Sequence, residues 1–180
     1  MNCTFVFPCK DSKFLTVSLI SAIWRALSCP PRSSHGSQLG QIVASAKTSG
    51  SVVVIFGEGI TSNGRGLLPW ETMMPLSGVD KSSNVFPAAL RYTPPYVTTP
   101  LPVNFFQWAL SVLWAWACSV RIRFGSPMAR NQNDELANSE IADVICRIGR
   151  LRKLGGSLGS ESKREFIDAW HKGRGAMTAS

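Results

Sequence analysis

Histidine and paired cysteines are scarce in this sequence. Its 180 residues include two histidines, His35 and His171, and five cysteines. No C-x-x-C motif occurs, and neither histidine stands at metal-ligand spacing to a cysteine. This pattern argues against a zinc site, so we expect no bound metal and reduced, mostly buried thiols.

Charge, and acidic charge above all, is also in short supply. Charged residues make up 17% of the chain, against about 25% in an average soluble domain. The 19 Lys and Arg outnumber the 11 Asp and Glu, so the formal net charge is +8. Such a charge favours anionic partners: nucleic acid, lipid headgroups or phosphorylated substrates. The 44% hydrophobic content excludes a disordered chain and suits one domain with a sizeable core.

The first residues, "MNCTFVFPCKDSK", lack the basic leader and apolar stretch of a secretory signal. They read instead like the middle of a domain, with a short strand over residues 3–7 that Pro8 stops. We therefore expect that a longer protein continues before this point.

Strand-like and helix-like patterns alternate along the chain. This alternation predicts a mixed α/β fold, with a mixed sheet flanked by helices. The run of β-branched residues at 52–56 predicts a strand buried on both faces. The predicted strands are 3–7, 52–56, 84–92 and 119–124. The predicted helices are 14–27, 38–47, 105–120 and 135–153. A last short helix is predicted to begin with a capping box at Ser162 and Glu165 and to end near His171.

The most apolar stretch is the Trp-rich segment 105–120. It contains Trp108, Trp114 and Trp116 and is followed at once by Arg121 and Arg123. A helix lying in a membrane interface, or partly inserted there, is the favoured interpretation, with the arginines meeting headgroup phosphates. A core helix is the first alternative. A spanning helix is the second, although the segment is short of the ~18 residues that a span needs.

Small polar residues gather where the strand at 52–56 ends. The segment "VVVIFGEGITSNGRGLLPW" (52–70) carries a carboxylate between two glycines, followed by hydroxyl and amide side chains. Strand-to-loop junctions of this kind bind ligands in α/β proteins. Backbone amides with Thr61, Ser62 and Asn63 would hydrogen-bond a phosphate or hydroxyl, and Arg65 would add charge.

Three familiar loops are excluded here. A nucleotide phosphate loop requires Lys and Ser or Thr after its last glycine, where this chain has Arg65 and Gly66. A dinucleotide fingerprint requires glycine at position 62, which is Ser. A serine nucleophile elbow requires glycine two residues before Ser62, where Ile60 stands.

What remains is F-x-E-G-x-x-S-N-G at residues 56–64. It resembles the signature block of the glycerolipid acyltransferase family, in particular its lysophosphatidic acid acyltransferase-like (1-acylglycerol-3-phosphate O-acyltransferase) branch. A second block of that family is similar to "VFPAALRY", with Pro87 at the matching place. The resemblance covers residues 51 to about 125. It implies the C-terminal part of an acyltransferase domain in residues 1–130 and a helical extension in residues 131–180.

The resemblance implies a reaction as well. An acyl group would move from acyl-CoA, a co-substrate with no further cofactor, to the free hydroxyl of a lysophospholipid such as lysophosphatidic acid. The residues expected to bind the acceptor are Glu58, Gly59, Thr61, Ser62 and Arg65. The resemblance also implies a membrane-associated protein at the cytosolic face of the endoplasmic reticulum or of a lipid droplet.

The catalytic pair of the resembled family, H-x-x-x-x-D, is not found. Five residues after His35 comes Gly40, and five after His171 comes Ala176. We therefore assign no catalytic residue, expect the pair to lie before Met1, and expect this chain to be inactive alone. The alternative is a non-catalytic lipid-binding or interaction protein of the membrane. A nucleic-acid module ranks third, because the arginines are scattered and no nucleic-acid signature occurs.

Overall fold

The computed structural model describes residues 2–9, 11–28, 35–60, 62, 64–70, 72–80, 82–94, 105–128, 133–155 and 159–177. The chain is mixed α/β, with small sheets flanked by helices, as the alternating pattern predicts. In chain order the elements are β1 (Asn2–Pro8), β2 (Phe14–Val17), α1 (Leu19–Ser28), α2 (Leu39–Thr48), β3 (Ser51–Ile55), β4 (Gly66–Leu67), a 3₁₀ turn (Leu76–Gly78), β5 (Ala88–Thr93), α3 (Phe105–Trp114), β6 (Ser119–Phe124), α4 (Asp134–Gly149), β7 (Arg152–Lys153) and α5 (Ser160–Met177).

The main sheet has the strand order β2-β1-β3. β1 pairs antiparallel with β2 and parallel with β3, so β1 and β3 end at the same edge. The helix predicted over 14–27 is wrong in its first turn, because residues 14–17 form β2 instead. Asp11 and Ser12 have φ values of 58° and 54°, the left-handed conformation of tight hairpin turns, which folds β2 back onto β1.

The strand predicted at 52–56 exists, but the expectation that both its faces are buried is wrong. Within the part of the chain described, β3 pairs with β1 alone and lies at the sheet edge. Val53 and Ile55 pack against the core, whereas Val52 on the other face is 40% exposed. β3 is therefore a half-buried edge strand whose inner face is covered.

One core joins the first and last parts of the described chain. Helix α2 packs against β3. Helix α4 contributes the buried side chains of Ala137 and Ile141, which lie more than 130 residues after Val6 of the same core. Asn138 of α4 is buried beside them. The buried members of this core are Val6, Phe14, Leu39, Ile42, Met74, Leu76, Val79, Ala137 and Ile141. Residues after position 130 thus share one core with residues before it. The domain boundary at 130 stays a prediction.

A separate two-stranded sheet pairs β5 with β6 in antiparallel register. The predicted strand 119–124 is confirmed, and the predicted strand 84–92 begins late, at Ala88, because Pro87 has no amide hydrogen to donate to a ladder. The apolar helix predicted over 105–120 ends at Trp114, since β6 takes up the chain from Ser119. Among the described helices, none has both the length and the hydropathy that crossing a membrane requires.

Helix α4 is shorter than the predicted 135–153. Asn133 caps its start by accepting hydrogen bonds from the amides of Glu135 and Leu136. Arg150, with φ 52° and ψ 45°, ends it in the left-handed conformation. The last helix, α5, begins at Ser160 rather than at a capping box on Ser162, and it extends to Met177.

Candidate functional site

The candidate loop begins where β3 ends, at the carboxyl edge of the parallel pair β1–β3. The Phe56 amide still donates to the Val6 carbonyl of β1 at 3.1 Å, and the Gly59 amide donates back to the Phe56 carbonyl at 3.0 Å. Gly59 has φ +64°, which a residue without Cβ adopts at little cost. The chain therefore leaves the sheet through a tight turn with Glu58 at its tip.

Glu58 ties the two ends of this loop together. The Leu68 amide donates to its Oε1 at 2.7 Å, across ten residues of chain. Burial raises the pKa of the Glu58 carboxyl above its ordinary value, and the Leu68 amide, the Ser62 hydroxyl and the charge of Lys163 partly oppose that rise. The carboxylate is thus a half-buried brace that closes the loop.

The far side of the loop carries the other residues predicted to bind the acceptor. The Ser62 hydroxyl, besides its contact with Glu58, accepts the Gly64 amide at 3.3 Å. Gly64 has φ +65° and open space where a Cβ would be. Arg65 is exposed. Thr61 and Asn63 lie outside the described residues.

Close packing surrounds the loop. A Cβ on Gly57 would lie 3.3 Å from the ring of Trp70, and one on Gly66 would lie 2.8 Å from Leu154. Gly66 and Leu67 form β4, which pairs parallel with β7 (Arg152–Lys153), a strand from the far end of the sequence. The glycines here permit the close approach of a ring and of a second strand, so the loop is held from two sides.

An aromatic cluster lies at the start of the loop. The ring of Phe56 is stacked on Phe5 at a centroid distance of 6.3 Å and tilted against Phe7 at 4.9 Å. The guanidinium of Arg25 lies 5.9 Å from the centre of the Phe7 ring, within cation–π range. Apolar surface thus adjoins the polar loop.

The structure brings Glu58, Gly59 and Ser62 together within one turn and adds groups that sequence reasoning missed. Lys163 of α5 acts on the Glu58 carboxylate from 105 positions along the chain, and Trp70 covers Gly57. The sequence contains no local signal for Lys163, because this electrostatic interaction depends on how α5 folds back. Trp70 lies within the segment 52–70, but its position in the sequence does not reveal that its ring packs on Gly57.

The loop can bind an anion or a hydroxyl through small residues, the Ser62 hydroxyl and a nearby cation. Among the described residues, no three His, Cys, Asp or Glu side chains come together as a metal site would need. Mixed α/β architecture with a carboxylate-centred glycine loop at a parallel strand edge is consistent with part of an acyltransferase-like domain.

Comparison with known proteins agrees with this class. A protein of Schizosaccharomyces pombe, named "Putative lysophosphatidic acid:oleoyl-CoA acyltransferase", is 32% identical over an alignment of 176 residues that covers 95% of this chain and 56% of that protein. The chain thus spans little more than half the length of this relative. No family model matches the chain, and no solved structure matches it significantly. This similarity supports a lysophosphatidic acid acyltransferase-like family and confirms the predicted resemblance.

Proposed function

We propose that this chain supplies the acceptor-binding part of an acyltransferase that moves an acyl group from acyl-CoA to lysophosphatidic acid. The observation that carries the proposal is the loop closed by Glu58, with the amide of Leu68 at 2.7 Å from its carboxylate. The relative's name supports the substrates. In the reaction, the acceptor hydroxyl attacks the thioester carbonyl carbon, the C–O bond forms, and the C–S bond breaks to release CoA as its thiol.

In this proposal the loop binds the glycerol-phosphate part of the acceptor. Gly64 exposes backbone to the ligand, since nothing lies within 4 Å of where its Cβ would be. Arg65 adds a charge-assisted contact with the phosphate. Glu58 acts as a positioning residue: it holds both ends of the loop, and Lys163 offsets part of its negative charge beside the phosphate.

The test is equilibrium binding of short-chain lysophosphatidic acid, with the phosphate-free monoacylglycerol as the comparison ligand. We expect Arg65→Gln to weaken binding of the phosphate-bearing ligand by about tenfold, because a charge-assisted hydrogen bond is lost, with little effect on monoacylglycerol. Glu58→Ala should weaken both, since the loop loses its brace. Lys172→Gln on α5, exposed in the structure, removes the same charge as a control. Equal affinity of the wild type and both loop variants for lysophosphatidic acid would overturn the proposal.

Turnover by this chain is a separate question. A general base has to take the proton of the acceptor hydroxyl, and neither histidine of the sequence has an aspartate five residues on. We therefore expect no consumption of oleoyl-CoA with lysophosphatidic acid above that of Glu58→Ala. Turnover above that background would refute the inactivity while leaving acceptor binding in place.

A membrane surface is the proposed partner. The Trp-rich segment supports this, since Trp114 and Trp116 are 86% and 100% exposed. Val120, Ile122 and Phe124 of β6 are exposed apolar residues that continue the same stretch. Exposed apolar patches of this kind mark interaction sites, and a basic chain would also be attracted to anionic headgroups.

The same surface supports the second candidate function, a lipid-binding protein without catalysis. Both functions suit the cytosolic face of the endoplasmic reticulum or of lipid droplets, the location that we propose. Fluorescence microscopy of the tagged full-length protein tests the location. Diffuse cytosolic signal would contradict it.

A further inference from the structure

Three arginines line one groove between β5, β6 and the end of α4. Arg91 of β5 stands directly opposite Arg121 of β6 in the antiparallel ladder, and Arg123 stands two residues further, opposite Ala89. These side chains share a groove with Gly149, the last residue of α4. Opposite residues in such a pair have Cβ atoms about 5 Å apart, so the side chains of Arg91 and Arg121 start from neighbouring positions on one face of the sheet.

The three arginines differ in their partners. Arg123 donates from Nη1 to the Ile148 carbonyl at 2.8 Å, so the carboxyl end of α4 holds it. Arg91 and Arg121 are exposed, and within the described ranges neither makes an ion pair or a hydrogen bond through its side chain. Like charges directly opposite one another destabilise a strand pair. An arrangement that costs stability without a compensating contact is typical of a functional site.

We propose that this groove binds a phosphate group. Guanidinium groups bind phosphate oxygens in pairs of parallel hydrogen bonds. Arg91 and Arg121 reach the groove from two strands, while Arg123 is already oriented by α4. A phosphate between them would replace the repulsion with attraction. The site is distinct from the Glu58 loop, and only the choice of CoA as its ligand rests on the proposed function.

The alternation of the strands indicates where that phosphate comes from. Side chains along a strand point to opposite faces in turn. Val120, Ile122 and Phe124 therefore lie on the face opposite Arg121 and Arg123, and all three are exposed. If that apolar face rests on a membrane, the arginine groove faces away from it. We therefore expect a soluble phosphate, such as those of CoA, rather than a lipid headgroup.

The experiment measures binding of CoA and of 3′-dephospho-CoA to the 180-residue chain and to Arg91→Gln/Arg121→Gln. The wild type should bind CoA, and the double variant should bind it at least about tenfold more weakly, the loss expected for charge-assisted contacts. Arg91→Lys/Arg121→Lys keeps the charge but loses the fork, so it should fall between the two. Lys13→Gln/Lys172→Gln removes two charges from exposed sites elsewhere as the control.

A second measurement excludes misfolding as the cause. Without ligand, Arg91→Gln/Arg121→Gln should melt at the same or a higher temperature than the wild type, because the opposed charges are gone. CoA should raise the melting temperature of the wild type and not of this variant.

Vesicle binding separates the two sources of phosphate. Vesicles of phosphatidylcholine with an equal amount of phosphatidic acid should bind the wild type and Arg91→Gln/Arg121→Gln alike. A loss confined to these vesicles would support the groove as a phosphate site whose ligand is a lipid headgroup. The proposal would be overturned if Arg91→Gln/Arg121→Gln bound both CoA and the vesicles as the wild type does. It would also be overturned if Lys13→Gln/Lys172→Gln lost as much binding as Arg91→Gln/Arg121→Gln. Arg65→Gln leaves the groove intact, so failure of the acceptor loop and failure of the groove give different results.

Discussion

A single carboxylate, that of Glu58, organises the candidate loop. It accepts the Leu68 amide, contacts Ser62 and lies within the field of Lys163. Burial opposes its ionisation, so the loop contains a group whose charge is held in place by neighbours rather than by water. An exposed turn glutamate would have none of these constraints, and its replacement would be neutral.

The first prediction concerns how stability depends on pH through Glu58. Burial raises the pKa of this carboxyl above its ordinary value of 4.5, so the folded state binds a proton more tightly than the unfolded state. The stability that this proton contributes is fully present below about pH 4.5 and is lost as pH rises through the folded pKa. Glu58→Gln keeps an acceptor for the Leu68 amide but cannot titrate.

The measurement is the free energy of unfolding in urea at several pH values, for the wild type and for Glu58→Gln. The wild type should lose stability relative to the variant as pH rises from 4.5 towards neutrality. A difference that stays constant, or that moves in favour of the wild type, would contradict the raised pKa.

Among the elements, α4 connects the most distant parts of the fold. Its buried Asn138 accepts the Met74 amide at 3.0 Å and donates to the Met74 carbonyl at 2.9 Å and to the Asp134 carbonyl at 2.6 Å. Asp134, in the first turn, accepts the amide and the hydroxyl of Ser77, each at 2.7 Å. One face of α4 therefore holds the segment 74–77, which follows the candidate loop along the chain.

The second prediction is that Asn138→Ala destabilises the protein by about 2–4 kcal/mol. Three hydrogen bonds are lost, and the buried backbone groups of Met74 are left without partners. Chemical denaturation measures this change. Ser139→Ala, at the next and exposed position of the same helix, is the control and should stay within about 0.5 kcal/mol. Equal stability of the two variants would show that the Asn138 network contributes nothing.

At the scale of the whole molecule, basic charge and exposed apolar surface occur together. The formal net charge is +8, and large apolar side chains are exposed on α3, the residues after it, and β6. Few opposing acids lie in this part of the chain: residues 105–128 contain no Asp or Glu. We therefore expect the apolar side chains to make the contact with the proposed membrane surface, and the net positive charge of the whole chain to add attraction to anionic headgroups.

The third prediction is that Trp114→Ser/Trp116→Ser binds anionic vesicles at least about tenfold more weakly, because each lost indole removes apolar area from the lipid contact. Both side chains are almost fully exposed, so the melting temperature should not change. Vesicle co-sedimentation measures the binding. Ile20→Ser, at an 82% exposed position of α1, is the matched control. Unchanged vesicle binding in the tryptophan variant would argue for a different partner of this surface.

Local patterns were sufficient for most of the fold and for the family resemblance. The β-branched run before Phe56, the periodicity of 38–47 and the apolar–basic alternation of 119–124 each predict their element, because side-chain spacing within a few residues decides it. The predictions failed where distant contacts decide: residues 14–17 form a strand because they pair with β1, and β3 is an edge strand because only β1 pairs with it in the described chain.

For the site, the sequence by itself determined the chemistry of the loop: a carboxylate between glycines, a hydroxyl at Ser62 and a cation at Arg65. Only the tertiary structure decided what that carboxylate does. Its hydrogen bond from the Leu68 amide and its electrostatic interaction with Lys163, like the pairing of Arg91 with Arg121 across two strands, join residues that are separated along the chain. Spacing within a segment carries no information on such contacts, because they arise from strand register and from the packing of helices around one core.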